Sequence, residues 1–182
     1  MLGDNLAKVE ERIEKACTVS GRKRSEITLL AVTKVFPASV IIEAHALGLR
    51  DFGENYVQEF ADKAPEVSGL EGARFHLIGH LQSNKAARAA ELFYVIQTVD
   101  TPKLARRLND CGTKLDIMIE VKLSEEESKH GADPAHLSEL IDSIQQCPNL
   151  NLRGLMTMPP WSGEPEVARP YFRKLKQLAD EH

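Results

Sequence analysis

The sequence is poor in cysteine and has no long apolar run. Its three cysteines, Cys17, Cys111 and Cys147, lie far apart and lack CxxC spacing, so they predict neither a disulfide framework nor a metal site. No apolar stretch approaches the ~18 residues of a membrane-spanning helix. The first residues also lack the basic and apolar segments of a secretory signal. We therefore expect reduced thiols in a cytoplasmic protein.

Strong charge of one sign is also missing. The formal net charge is −4 over 182 residues, and the two signs are mixed along the chain. This balance gives no electrostatic reason to expect nucleic acid or an anionic membrane as a partner. Neither GxGxxG nor GxxxxGK[ST] occurs, so nucleotide binding through those loops has little support. The length fits a single domain, predicted to span residues 1–182.

Two hydrophobic periods alternate along the chain. Spacings of three and four on Leu2, Leu6, Val9, Ile13 and Ala16 predict an opening helix. Short apolar runs then predict six strands, at 28–34, 50–54, 74–80, 94–99, 115–123 and 150–158. Ser83, Thr101 and Asp133 are predicted to cap helices between them, the last two being followed by proline. Strands that alternate with helices predict an α/β fold with a parallel sheet.

The number of repeating units leaves the architecture open. We count six strand–helix units, whereas a closed (β/α)8 barrel has eight and typically about 250 residues. The sheet is therefore either open and doubly wound or a barrel without its last two units. Periodicity alone does not choose between these two.

Polar residues gather where the predicted strands end, which is the functional edge of a parallel α/β sheet. Lys34 lies two residues after the apolar run 29–32, so we expect its stem to leave the sheet in a low-dielectric setting. Such a setting favours the neutral amine, which can attack an aldehyde. The alternative is an ordinary exposed lysine. The strand-end residues are Lys34, Glu54, Asn55, His80, Asp100, Lys122 and Met156.

The other strand-end residues each have a structural alternative. Asn55 can hydrogen-bond a ring hydroxyl or simply cap the next helix. His80 can face a ring or a phosphate, although a single histidine is as often structural. Met156 is more typical of core packing, and Tyr56 is expected to be packed rather than catalytic. His76 and His80 share one strand, but no partner spacing predicts a zinc site.

Several longer motifs occur together and in order. They are AVTK at 31–34, DFGENYVQE at 51–59, HLIGHLQSNK at 76–85, EESKHG at 126–131 and RGLM at 153–156. As a set they closely resemble the pyridoxal phosphate homeostasis proteins. The resemblance implies the (β/α)8 TIM-barrel type of the alanine racemase N-terminal domain, with about six of the eight units present.

The same resemblance implies a cofactor and a function. Lys34 matches the lysine that holds pyridoxal 5′-phosphate (PLP) as a Schiff base, and Asn55 matches a residue that contacts the cofactor. His80 and Met156 match positions near the pocket. The implied role is PLP homeostasis without dedicated turnover, with PLP-dependent apoenzymes as possible recipients. The alternatives are an amino-acid racemase or aldolase of this fold, and a regulatory module whose main ligand is another protein.

Two departures from the family pattern bear on these expectations. Family members usually continue through segments that supply most phosphate contacts, and this chain stops before them. We therefore expect a C-terminally incomplete barrel that binds PLP weakly. In addition, many members carry asparagine where this chain has Lys122.

Overall fold

The structure is a computed structural model that describes residues 1–124 and 130–182. Most of the motif at 126–131 therefore lies outside the described residues. Thirteen helices and strands alternate in the described part: α1 Leu2–Ser20, β1 Leu30–Val32, α2 Ala38–Ala46, β2 Asp51–Glu54, α3 Val57–Val67, β3 Arg74–Leu77, α4 Ala86–Leu92, β4 Val95–Val99, α5 Pro102–Asn109, β5 Leu115–Glu120, α6 Leu137–Gln145, β6 Leu150–Met156 and α7 Arg169–Glu181.

The six strands form one parallel sheet in the order β1-β2-β3-β4-β5-β6. A doubly wound sheet begins in its middle and reverses direction, so this sequential order is that of a barrel. Cα atoms of β4 and β6 approach within 8 Å, whereas two strand spacings in a flat sheet are about 9.5 Å. The sheet is therefore curled, and the predicted TIM-barrel type of fold is confirmed.

The core lies between the sheet and the helices on its outer face. Phe60 of α3 packs between Phe75 and Phe93. Its ring centroid lies 4.5 Å from that of Phe75 and 5.0 Å from that of Phe93. Helices α5 and α6 each bury one apolar face against the sheet, because their apolar residues recur every three to four positions. The largest fully buried side chains are Phe52, Phe60, Ile41, Leu77, Leu81, Ile96, Leu104, Leu108, Ile117, Ile119, Leu137 and Ile144.

Two of the three predicted helix starts are confirmed. Thr101 Oγ1 accepts a hydrogen bond from the backbone N–H of Leu104 at the start of α5. Asp133 caps a short 3₁₀ turn, Pro134–His136, that leads into α6. The prediction for Ser83 is wrong, because Ser83 opens the 3₁₀ turn Ser83–Lys85 and its hydroxyl caps no helix.

Burial at the amino-terminal end is lower than the apolar pattern predicts. In α1 the only buried residue is Cys17, and Val9 is exposed. Strand β1 is three residues long rather than seven, and its Val32 is 48% exposed. The reason is that β1 lies at one edge of the sheet in the described chain, so it has a strand on one side only.

All three cysteines are described and free, as predicted. In the described part of the chain, no helix has the length and apolar character to cross a membrane.

Candidate functional site

Lys34 lies in the turn that follows β1, at the carboxyl edge of the sheet. The register brings Val32 opposite Gly53, so this turn is adjacent to the end of β2. The side chain is exposed. The expectation of a low-dielectric setting is therefore wrong, because the edge position of β1 leaves the turn open to water.

The backbone of the turn is strained next to Lys34. Val35 has a φ of 62°, and it is the only non-glycine residue with positive φ among the described residues. This conformation is an outlier for a β-branched side chain and costs about 1–3 kcal/mol. The N–H of Val35 donates a 2.6 Å hydrogen bond to Glu59 Oε1, so a carboxylate of α3 holds the turn in place.

A buried lysine, Lys63 of α3, hydrogen-bonds the backbone of the same turn. Lys63 Nζ donates to the carbonyl oxygens of Thr33 at 3.2 Å and Phe36 at 3.1 Å. It also lies 2.8 Å from Glu54 Oε1 and 2.9 Å from Glu59 Oε1. Hydrogen bonding to Lys63 is the main cause of a lowered pKa for Glu59. We call these three charged residues, Glu54, Glu59 and Lys63, the turn anchor.

Asn55 and His80 follow β2 and β3 at the same edge. A Cβ built on Gly79 would lie 2.2 Å from the carbonyl oxygen of Asn55, so only glycine permits this approach of the two strand ends. Asn55 is half-buried and His80 is exposed. Tyr56 is 59% exposed, so the expectation that it packs is wrong. It lies at the N-cap of α3, where the chain turns outward.

A second group of polar residues lies at the ends of β3, β4 and β5. His80 and His130 stack with ring centroids 3.7 Å apart and an interplanar angle of 13°. His80 Nδ1 lies 3.8 Å from Asp100 Oδ2. Burial, with a smaller contribution from the charge of Asp100, raises the pKa of Glu120 to about 7.

Met156 closes the row at the end of β6. It pairs with Glu120 of β5, and its carbonyl oxygen accepts a 2.8 Å hydrogen bond from Val121 N–H. The four predicted site residues therefore all lie on one edge. Lys34, Asn55 and His80 follow three neighbouring strands, whereas Met156 lies at the far side of the sheet.

His76 belongs to a different cluster, at the amino edge. Its Nε2 lies 2.9 Å from Asp51 Oδ1, and Gln97 lies 3.1 Å from its Nδ1. Arg74 pairs with both oxygens of Asp51, at 2.8 and 2.6 Å. Burial lowers the pKa of His76. A cavity of about 460 Å³ lies against this cluster. Both ring nitrogens of His76 have partners within the cluster, so the structure assigns His76 to it and not to the predicted site.

Comparison with known proteins places this geometry in a family. A sequence profile of the alanine racemase N-terminal domain matches residues 5–182. The pyridoxal phosphate homeostasis protein of Escherichia coli is 44% identical over 98% of this chain and 77% of its own length. The protein of the same name from Pseudomonas aeruginosa is 41% identical over 97% of this chain and 78% of its own length.

A solved structure gives the corresponding result for the fold. PipY of Synechococcus elongatus, in a structure with PLP bound, superposes with a TM-score of 0.81 at 35% sequence identity. The match covers 93% of this chain and 80% of PipY.

Proposed function

This chain belongs to the alanine racemase N-terminal domain family and, within it, to the pyridoxal phosphate homeostasis proteins, and on that premise we propose that it binds PLP as a Schiff base on Lys34. The observation that carries the proposal is the position of Lys34. Lys34 follows the first strand at the carboxyl edge, in a turn adjacent to the end of β2. PipY with PLP bound matches this chain over 93% of its length.

The residues at this edge fit the cofactor because their polar atoms are available. Neither Lys34 Nζ nor the side-chain amide of Asn55 forms a hydrogen bond or ion pair with another described residue. His80 has only the 3.8 Å approach to Asp100. A free amine and a free amide can bind an aldehyde and a ring hydroxyl. The His80 ring stacks on His130 with one face, which leaves its other face and its ring nitrogens for the cofactor.

PLP supplies an aldehyde that condenses with a lysine amine. Lys34 Nζ would supply the amine for this condensation, which would form a carbon–nitrogen double bond and release one water molecule. The turn anchor keeps the backbone of Lys34 in one place during this step. Asn55 orients the ring by hydrogen bonding, and His80 is the second residue proposed to contact it. Met156 is the further residue proposed near the cofactor, on the last strand of the curled sheet. Exposure of Lys34 leaves the amine accessible to cofactor that arrives from solution.

We also propose that the chain holds and releases PLP rather than turning over a substrate. The matched relatives are named for PLP homeostasis, and their names state no reaction. Cytoplasmic PLP-dependent apoenzymes are the recipients in this proposal. We also propose that residues 1–182 belong to one PLP-binding domain.

Borohydride trapping tests the assignment of Lys34. Reduction of the Schiff base makes the link permanent, and peptide mass mapping then locates it. We expect the pyridoxyl group on the peptide that contains Lys34. The variant Lys34→Ala should lose trapping at this site.

The matched control is Lys114→Ala, which removes an exposed lysine just before β5, at the opposite edge of the sheet. This variant should trap PLP as the wild type does. Equal trapping in Lys34→Ala and wild type, or a label spread evenly over the surface lysines, would refute the proposal.

A further inference from the structure

Three potential metal ligands converge at the ends of β3, β4 and β5. They are His80, Asp100 and His130, and one ligand atom from each lies within 4.8 Å of the other two. Asp100 is half-buried, whereas both imidazoles are exposed. The three residues are far apart in the sequence, and the sequential strand order brings them together.

The spacing within this cluster is too long for hydrogen bonding and close to that of shared coordination. His80 Nδ1 and Asp100 Oδ2 are 3.8 Å apart, beyond the ~3.2 Å limit of a good hydrogen bond. Two ligands of one tetrahedral zinc ion, with bonds of about 2.0–2.2 Å, are roughly 3.4 Å apart. His80 and His130 stack almost parallel, with an interplanar angle of 13°, so the in-plane lone pairs of the two rings run side by side. Both rings must therefore rotate out of the stack to face one ion, and their exposure permits this rotation.

The chemistry of the three side chains selects the kind of ion. None of them has a hydrogen-bond partner in the part of the chain that the structure describes, so their lone pairs are available. Imidazole nitrogen suits zinc and neighbouring transition metals, whereas magnesium and calcium prefer sites made of oxygen alone. We propose that His80, Asp100 and His130 bind a divalent transition-metal ion of the zinc class.

Three protein ligands leave one position of a tetrahedral ion open to solvent. His80 is also a proposed PLP contact, so the metal and the cofactor share one side chain. The metal site itself does not depend on Lys34.

Calorimetric titration of PLP-free protein with zinc ion alone tests the site. We expect one zinc ion per chain and no measurable heat with magnesium ion. The variant His130→Ala removes one ligand, and Asp100→Asn replaces a charged carboxylate ligand by a neutral amide. Each should weaken zinc binding at least about tenfold, since even losing a residue that only hydrogen-bonds a metal ligand costs about 10- to 100-fold. Asp100 and His130 lie in different parts of the chain, so a folding defect in one variant would not explain weaker zinc binding in both.

The matched control is His136→Ala. His136 is an exposed histidine that lies 3.6 Å from the carboxylate of Glu139. Among residues 1–124 and 130–182, no second imidazole stacks on it. Zinc affinity should be unchanged in this variant and in Lys34→Ala, which separates the metal site from the proposed PLP function. Absence of zinc uptake by the wild type, or equal affinity in wild type, His130→Ala and Asp100→Asn, would overturn the proposal.

Discussion

Lys63 Nζ lies 2.8 Å from Oε1 of Glu54, and the two side chains are only 10% and 0% exposed. The same nitrogen bonds the carbonyl oxygens of Thr33 and Phe36, which flank the turn that carries Lys34. The buried ion pair therefore ties a strand, a helix and the functional turn together.

We expect Lys63→Met to lower the free energy of unfolding by about 3–5 kcal/mol, because removing one member of a buried ion pair leaves the other charge uncompensated. Methionine keeps most of the side-chain volume, so packing changes little. Urea denaturation measures the effect.

Lys15→Met is the control for this substitution. Lys15 Nζ lies 2.7 Å from Glu11 Oε1, and the two residues have the same i,i+4 spacing as Lys63 and Glu59. The side chains of Lys15 and Glu11 are both more than half exposed. Exposed pairs contribute little to stability, so its denaturation midpoint should match that of the wild type. A similar midpoint for both variants would mean that burial of Lys63 does not matter.

Gly79→Ala should lower the free energy of unfolding by about 1–3 kcal/mol through overpacking. Its Cβ would lie 2.2 Å from the carbonyl oxygen of Asn55, a backbone atom that cannot rotate away. Gly69→Ala is the comparison, because nothing lies within 4 Å of the Cβ that it adds. Thermal unfolding should show a clearly lower melting temperature for Gly79→Ala and an unchanged one for Gly69→Ala. Equal melting temperatures in the two variants would show that the ends of β2 and β3 separate freely.

The free energy of unfolding should depend on Glu120 between about pH 4.5 and 7. The folded-state pKa of about 7 lies above the ordinary value of 4.5, so in this range the folded chain holds one proton more than the unfolded chain. Stability from this group is therefore complete below the unfolded pKa, falls as the pH rises, and is lost above about pH 7. The full change corresponds to about 3 kcal/mol.

Glu120→Gln cannot titrate and should remove this component. Urea denaturation of both proteins at about pH 5 and about pH 8 gives the difference between them. We expect the variant to gain stability relative to the wild type as the pH rises. A difference that stays constant with pH would show that Glu120 titrates normally.

Much of the fold follows from the hydrophobic pattern. All six strands were predicted, because short apolar runs bounded by turns indicate buried parallel strands. The predicted ends lie too late in β1, β3, β5 and β6, since residues such as Gly79 and Lys122 continue the chain beyond the last ladder bond. The sequential strand order was left open, because periodicity carries no information about which strands are neighbours.

The site was predicted in part. Lys34, Asn55, His80 and Met156 do lie on one edge, because strand ends of a parallel sheet share it. Whether they contact PLP stays a prediction. Lys63 was missed, since a lysine in a helix is ordinarily exposed. His130 was missed as well, because its partner His80 is 50 residues away and no local spacing signals the pair.

The order of the strands also bears on how the protein is made. Each strand after the first begins roughly 20 to 35 residues after its partner and pairs with the strand synthesised just before it. Each pairing therefore joins strands that are consecutive in the sequence and needs no segment that lies further along the chain. During synthesis the amino-terminal part of the chain leaves the ribosome first. Each new strand therefore finds its pairing strand already synthesised, and the sheet can grow by one strand at a time.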